Sequence, residues 1–239
     1  MNDPIMTQAV GEFIGTLVLV LLGDGVVAAV SLNKSKAQGA GWIAIALGWG
    51  FAVTLGVYCA AFLGPAHLNP AVTLGFAIIG QFPWAGVLPF IIAQLLGAFV
   101  AAVLVWLHYY PHWQETKDQA AILGTFATGP AIRRPLANLF SEFLGTLVLV
   151  FGLLAFGKGQ WTHGLMPIGV GILITAIGLS LGGTTGYAIN PARDLGPRVA
   201  HQLLPIDNKG GSDWGYAWVP VIGPLLGGII GAWLFTLVG

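Results

Sequence analysis

Residues 37–114 contain no Asp, Glu, Lys or Arg. No water-soluble fold can expose such a stretch, and it is several times the roughly 20 residues that cross a bilayer once as helix. The whole chain of 239 residues is 8% charged, against about 25% in soluble domains, and its nine Lys+Arg balance nine Asp+Glu. These proportions exclude a soluble enzyme, a disordered chain and a basic nucleic-acid binder. They require an integral membrane protein with the lipid bilayer as solvent. The opening Met1-Asn2-Asp3-Pro4 carries no cation, and no small-residue cleavage site follows the first apolar segment, which therefore reads as an uncleaved span. The single cysteine, Cys59, has no intrachain disulfide partner.

Six stretches read as full spans: about 7–31, 41–62, 85–108, 136–156, 165–185 and 214–238. Helix is the expected state, because a helix closes its own backbone hydrogen bonds in hydrocarbon. The strands of a barrel would alternate polar with apolar residues, and these segments do not. Trp42, Trp84, Trp113, Trp161 and Trp214 fall near segment ends, where interfacial aromatics belong. Two further apolar pieces, 69–80 and 190–204, are too short: about 12–15 residues give roughly 18–22 Å of helix against a core of about 30 Å. Each stops at a breaker, Gly80 with Pro83 in one case and Pro205 in the other. They read as half-helices that enter the membrane and turn back, which backbone does only where protein or a water-filled cavity satisfies it.

The chain also repeats itself. Gly11-Glu12-Phe13-Ile14-Gly15-Thr16-Leu17-Val18-Leu19-Val20 is matched by Ser141-Glu142-Phe143-Leu144-Gly145-Thr146-Leu147-Val148-Leu149-Val150, and Asn-Pro-Ala occurs later in each half, at 69–71 and 190–192. Each half therefore holds three spans and one half-helix: a first repeat over 1–108, a connecting loop over 109–135 and a second repeat over 136–239, within one domain. An odd number of spans per repeat makes the second copy enter from the opposite side, so the repeat is inverted and its binding site lies near the midplane.

Asn-Pro-Ala is a physical helix start. Asn69 and Asn190 are favoured N-caps, and Pro70 and Pro191 suit a first helical position, where a missing N–H costs nothing. Ala71 and Ala192 follow as small residues at the crowded meeting point. If each Asn oxygen caps its helix, the amide NH2 groups face the other way as donors. Two half-helices meeting N-terminus to N-terminus also focus two positive dipole ends on the membrane centre. Such a site suits water or a neutral hydroxylated molecule and repels cations.

With these motifs the chain resembles the major intrinsic protein family, the aquaporins and glycerol facilitators. The matching stretches are His67-Leu68-Asn69-Pro70-Ala71-Val72-Thr73 and Asn190-Pro191-Ala192-Arg193-Asp194-Leu195-Gly196-Pro197-Arg198. The resemblance covers nearly the whole chain. It implies an all-α membrane protein with six transmembrane helices and two re-entrant half-helices in an inverted 3+3 repeat. It further implies a homotetramer with one pore per subunit, and cytoplasmic termini in a plasma or inner membrane. It also implies a selectivity filter at Trp49, Gly178, Tyr187 and Arg193, with Gly178 leaving room where water-selective relatives carry His. Tyr187 departs from the Phe common in glycerol facilitators. Asp194, Arg198, Tyr109 and Pro224-Leu225 resemble that branch.

The functional expectation is a passive channel for small uncharged solutes, glycerol and water among them, with no catalytic residue, cofactor, metal or nucleic-acid partner. A water-selective channel, or one for water and hydrogen peroxide, is the runner-up. An ion-coupled transporter is the second class, since inverted repeats with broken helices build those as well. Glu12 and Glu142 are intramembrane acids, and their symmetry points to accepting hydrogen bonds from the loops around each half-helix. Asp194 is expected to brace the preceding loop and Arg198. His67 is expected at the pore vestibule, its backbone carbonyl mattering more than its ring. His108 and His112 have metal-compatible spacing, but Pro111 interrupts them. Gly11/Gly15, Gly178/Gly182 and Gly227/Gly231 are spaced for close helix contact. Loop charge runs against the implied orientation: with the termini inside, Lys158 is the only cation of the inner loops, whereas Lys34, Lys36, Lys117, Arg133 and Arg134 fall outside.

Overall fold

Gly-, Leu- and Val-rich segments in hydrocarbon satisfy their backbone by winding into helices, and the computed structural model, which describes residues 4–238, contains no strand among them. In chain order the helices are α1 (Ile5–Ser31), α2 (Gly41–Ala60), the short α3 (Pro70–Ile78), α4 (Trp84–His108), α5 (Tyr110–Glu115), α6 (Gln119–Phe126), α7 (Pro135–Lys158), α8 (Met166–Leu181), α9 (Pro191–Leu203) and α10 (Val219–Val238). A 3₁₀ turn, Gly182–Thr184, extends α8. Six helices are long and apolar enough to cross a membrane. The half-helices α3, with 9 residues, and α9, with 13 and three charged side chains, are not.

Two sequence expectations shift. The last span begins at Val219 and not near 214, because residues 214–218 form turns and Pro220 sits in the first helical turn, where its missing N–H is harmless. The connection 109–135 holds two helices. Pro111 lies in the first turn of α5, so it opens a new helix as well as closing α4. Asp118 caps α6 by accepting from Ala120 N (2.9 Å) and Ala121 N (3.2 Å). Helices of 6 and 8 residues are too short to show a hydrophobic period.

The two halves interlock. Within each half, α1 packs on α2 and α4, and α7 packs on α8 and α10. Each half-helix, however, makes its main contact in the opposite half: α3 lies on α10, and α9 lies on α4. Glycines permit these approaches. A Cβ at Gly75 would stand 2.9 Å from the Gly228 carbonyl oxygen, and one at Gly196 would stand 3.0 Å from that of Leu95. The halves also meet directly through α2 and α8, where Gly50 faces Thr175 and Gly171 faces Thr54 in the same way.

Glycine does the same work inside each repeat. A Cβ at Gly97 would lie 2.5 Å from the Phe13 carbonyl oxygen, and one at the equivalent Gly227 would lie 2.2 Å from that of Phe143. Backbone cannot yield as a flexible side chain can. Gly227→Val is therefore expected to lower stability by about 1–3 kcal/mol or more, while Gly124→Ala, with nothing within 4 Å, is a neutral control. Thermal unfolding of the detergent-solubilised protein measures both.

Candidate functional site

The half-helices start as the motif chemistry demands. Asn69 and Asn190 are extended residues ahead of proline, and their side-chain oxygens accept from Ala71 N (2.9 Å) and Ala192 N (3.0 Å) respectively. Their amide nitrogens do more than face a cavity. Asn69 Nδ2 donates to the Ile189 carbonyl, and Asn190 Nδ2 donates to the Leu68 carbonyl, each at 2.8 Å. Each amide thus spends one N–H joining the opposite loop and keeps one for the cavity that both residues line.

The loops ahead of the half-helices are unusual backbone. Ala66 and Leu68 in one, and Tyr187 and Ile189 in the other, have φ between +39° and +54°. A side chain in this left-handed region costs of order 1–3 kcal/mol unless the surroundings hold it. Two buried carboxyl groups hold it. Glu12 accepts from His67 N (2.7 Å) and Leu68 N (2.6 Å), and Glu142 accepts from Ala188 N (3.0 Å) and Ile189 N (2.8 Å). Gln94 adds a third donor to Glu12 at 2.8 Å. With their N–H groups turned outward to these acids, the loops are free to turn carbonyls inward.

The cavity measures about 550 Å³ and runs from Trp49, Tyr187 and Arg193, past Asn69 and Asn190, to Lys158 and Met166 at helix ends. At its narrow end the Arg193 guanidinium lies 4.1 Å from the centroid of the Trp49 ring, and Arg193 Nη1 donates to the Phe126 carbonyl (3.1 Å). The guanidinium is therefore stacked on the indole face, and donors and aromatic carbon lie side by side on the cavity wall. Gly178 is placed differently from the expectation. It does not line the cavity, because Tyr187 covers it: a Cβ there would stand 2.6 Å from Tyr187 Cζ. The space that glycine leaves is filled by the tyrosine ring. Gly182 likewise accommodates Tyr187 and Trp42, so the Gly178/Gly182 pair seats aromatic rings and does not bring two helices together. Trp42 Nε1 donates to the Gly178 carbonyl (2.9 Å), and Gly23 lies against the ring of Trp49.

Asp194 braces more than the expected partners. It binds Arg198 through both carboxyl oxygens (2.8 and 3.0 Å) and accepts from Thr128 N and Oγ1, each at 2.8 Å. Its loop is thus the one leading from α6 to α7, not the one preceding Asn190, which Glu142 serves. Arg198 continues to the carbonyls of Thr128 and Ser212, both at 2.8 Å. At the same end Lys34 pairs with Glu115 (2.7 Å), its hydrogen bond and charge holding that carboxyl below the usual range, and Arg133 pairs with Asp213. The His67 ring lines the cavity but is wedged among Phe76, Phe82 and Phe90, with Nδ1 3.2 Å from Thr73 Oγ1. No cluster of three or more metal-ligating side chains occurs among the described residues.

The sequence reading passes over Asp24, Phe126 and Thr128. An acid inside an apolar span is itself a signal, and Asp24 carries it. Phe126 and Thr128 act through backbone groups as well as side chains, and backbone groups leave no trace in residue type.

The profile of the Major intrinsic protein family matches residues 2–235. Glycerol uptake facilitator protein 3 of Lactiplantibacillus plantarum is 69% identical, the match covering 99% of each chain. A probable glycerol uptake facilitator protein of Thermotoga maritima is 56% identical over 96% of this chain and 100% of its own. Among solved structures, the X-ray structure of the aquaglyceroporin from Plasmodium falciparum superposes with a TM-score of 0.87 at 31% identity, covering 98% of this chain and 97% of that one.

Replacing Glu142 by Gln keeps the shape but turns one acceptor into a donor facing a backbone N–H. Glu142→Gln is expected to cost about 1–3 kcal/mol, and Glu12→Gln a similar amount. Thermal unfolding in detergent reads each, and unchanged stability in both would remove the carboxyl groups from their role as loop anchors.

Proposed function

The chain belongs to the major intrinsic protein family, and on that premise we propose that it is a passive channel for glycerol and other small uncharged solutes, with some flow of water. The observation that carries this reading is the mixed lining at one end of the cavity, where the Arg193 guanidinium, stacked on the ring of Trp49 beside Tyr187, sets donors next to aromatic carbon. A polyol has hydroxyls along one edge and C–H along the other, so it can trade hydration for Arg193 donors while its carbon passes the aromatic rings beside them. The relatives named glycerol uptake facilitators support the same choice of solute. The protein is a channel and not an enzyme.

Conduction needs sites strong enough to replace hydration and weak enough to release the solute. Past the constriction, the solute meets the free N–H of each Asn amide and the loop carbonyls. The two helix N-termini make the same path unfavourable to cations. We assign Trp49, Tyr187 and Arg193 to the filter, Gly178 to the support of Tyr187, and Asn69 and Asn190 to the central contact. The pore lies within one chain, so assembly is not needed to complete it; we place four such chains together in the cell membrane with termini in the cytoplasm. Labelling a Lys36→Cys variant on a Cys59→Ser background from the outer side tests that orientation.

One observation favours the water-selective alternative: the Tyr187 ring takes up the space over Gly178, so the missing side chain there does not open the cavity. Proteoliposomes separate the readings. Under a glycerol gradient alone, vesicles with the protein are expected to shrink and then reswell well above the lipid background, without any ion or pH gradient. Rapid shrinkage without faster reswelling would establish the water channel instead, and reswelling abolished by ionophores would establish coupling. Tyr187→Ala is expected to raise the flux of a four-carbon polyol by roughly tenfold relative to glycerol.

A further inference from the structure

Four acidic side chains are buried among the described residues: Glu12, Asp24, Glu142 and Asp194. Three are saturated with donors, as described above. Neither oxygen of Asp24 has a hydrogen-bond partner, and its carboxyl group is fully enclosed in α1, beyond the reach of the cavity. A buried, unpartnered carboxyl group is costly to keep in hydrocarbon and marks a functional position. Its one close cation is Arg193, whose Nη1 lies 3.5 Å from Asp24 Oδ1. The neighbouring acid, Asp194, is already matched by Arg198.

The internal repeat shows that the two groups belong together. Counted from the paired motif asparagines, Arg193 stands where the first half has Val72; counted from the paired glutamates, Asp24 stands where the second half has Leu154. Val72 and Leu154 belong to one buried apolar cluster and both line the cavity. The apolar residues Val72 and Leu154, one from each half, thus have an acid and a base, again one from each half, as their symmetry counterparts. An arginine introduced alone would leave an uncompensated cation, and an acid introduced alone would be still more costly.

We propose that Asp24 is the counter-charge of Arg193 and a specificity-determining residue of the constriction. It acts through Arg193 and touches no solute. By cancelling the guanidinium charge from behind, it lets Arg193 offer donors to neutral hydroxyls without concentrating anions at the narrowest point. Together with the Phe126 carbonyl, it also holds the guanidinium back against the face of Trp49. The inference rests on the channel reading and names what makes that filter indifferent to anions.

The test uses the full chain in proteoliposomes, with chloride influx followed by a halide-quenched dye and glycerol flux followed by reswelling of the same vesicles. Asp24→Asn, which keeps the shape and removes the charge, is expected to raise the chloride-to-glycerol flux ratio by roughly tenfold. An unchanged ratio overturns the proposal. A stability cycle guards against misfolding: Arg193→Val alone is expected to lower the thermal midpoint markedly, and adding Asp24→Leu, which reproduces the symmetry-related residues Val72 and Leu154, to recover most of the loss. Additive losses would also overturn it. Wild-type glycerol flux is read separately: its absence would sink the channel reading, while the stability cycle would still judge the pair.

Discussion

Two buried carboxyl groups hold the centre of this molecule together. Two non-helical loops lie at membrane depth, where each unsatisfied N–H or C=O is expensive, and no water-facing surface is available to absorb them. Glu12 and Glu142 each take two successive backbone N–H groups of a loop, and that fixes four residues in the left-handed region. With the N–H side anchored in protein, the carbonyls of Leu68 and Ile189 are left to receive the amides of the opposite half. The asparagines then cap their helices and join the loops in one stroke. Without the acids, the loops would have no reason to keep this shape, and the half-helices would lose their common meeting point.

The second organising fact is a symmetry kept for architecture and broken for selection. Anchoring glutamates, capping asparagines, left-handed loop residues and the glycines under α4 and α10 all occur twice, at equivalent places. The filter occurs once. Trp49 and Arg193 correspond to Val170 and Val72 in the other half, and Tyr187 corresponds to Ala66. Those three counterparts also line the cavity, so the same backbone carries apolar side chains at one end and a cation with aromatic rings at the other. Asp24 belongs with this break, since its counterpart Leu154 is apolar as well. Arg198 and Asp194 add a further layer on the filter side, tying α9 to the connections before α7 and α10 through carbonyls of Thr128 and Ser212.

Much of the fold is legible in residue order, because lipid imposes a rule that residue type can reveal. The six spans follow from uncharged length, and the half-helices follow from apolar length cut short by Gly80 and Pro205. Legibility ends where an element is short or a group is backbone. The helices α5 and α6 leave no period, yet α6 brings the Phe126 carbonyl to Arg193. Gly178 is a plainer lesson. An absent side chain reads as open space in a sequence, but only the packing shows that Tyr187 occupies it. The histidine ahead of the first motif lies on the cavity, but the three phenylalanines around its ring come from packing that its place in the sequence does not show.

The sequence by itself determined the solvent of this protein, the number of crossings, the inverted duplication and the identity of the polar residues near the midplane. These follow from composition and spacing, since charge is excluded from hydrocarbon and a span has a minimum length. Tertiary structure alone decided which groups meet. The half-helices seat on the opposite repeat, one N–H of each asparagine is spent on a carbonyl across the centre, and Tyr187 lies over Gly178. Arg193 is held between Trp49, Phe126 and Asp24. Each of these contacts joins segments far apart in the chain, or involves a carbonyl that every residue possesses, so no local pattern of side chains encodes it.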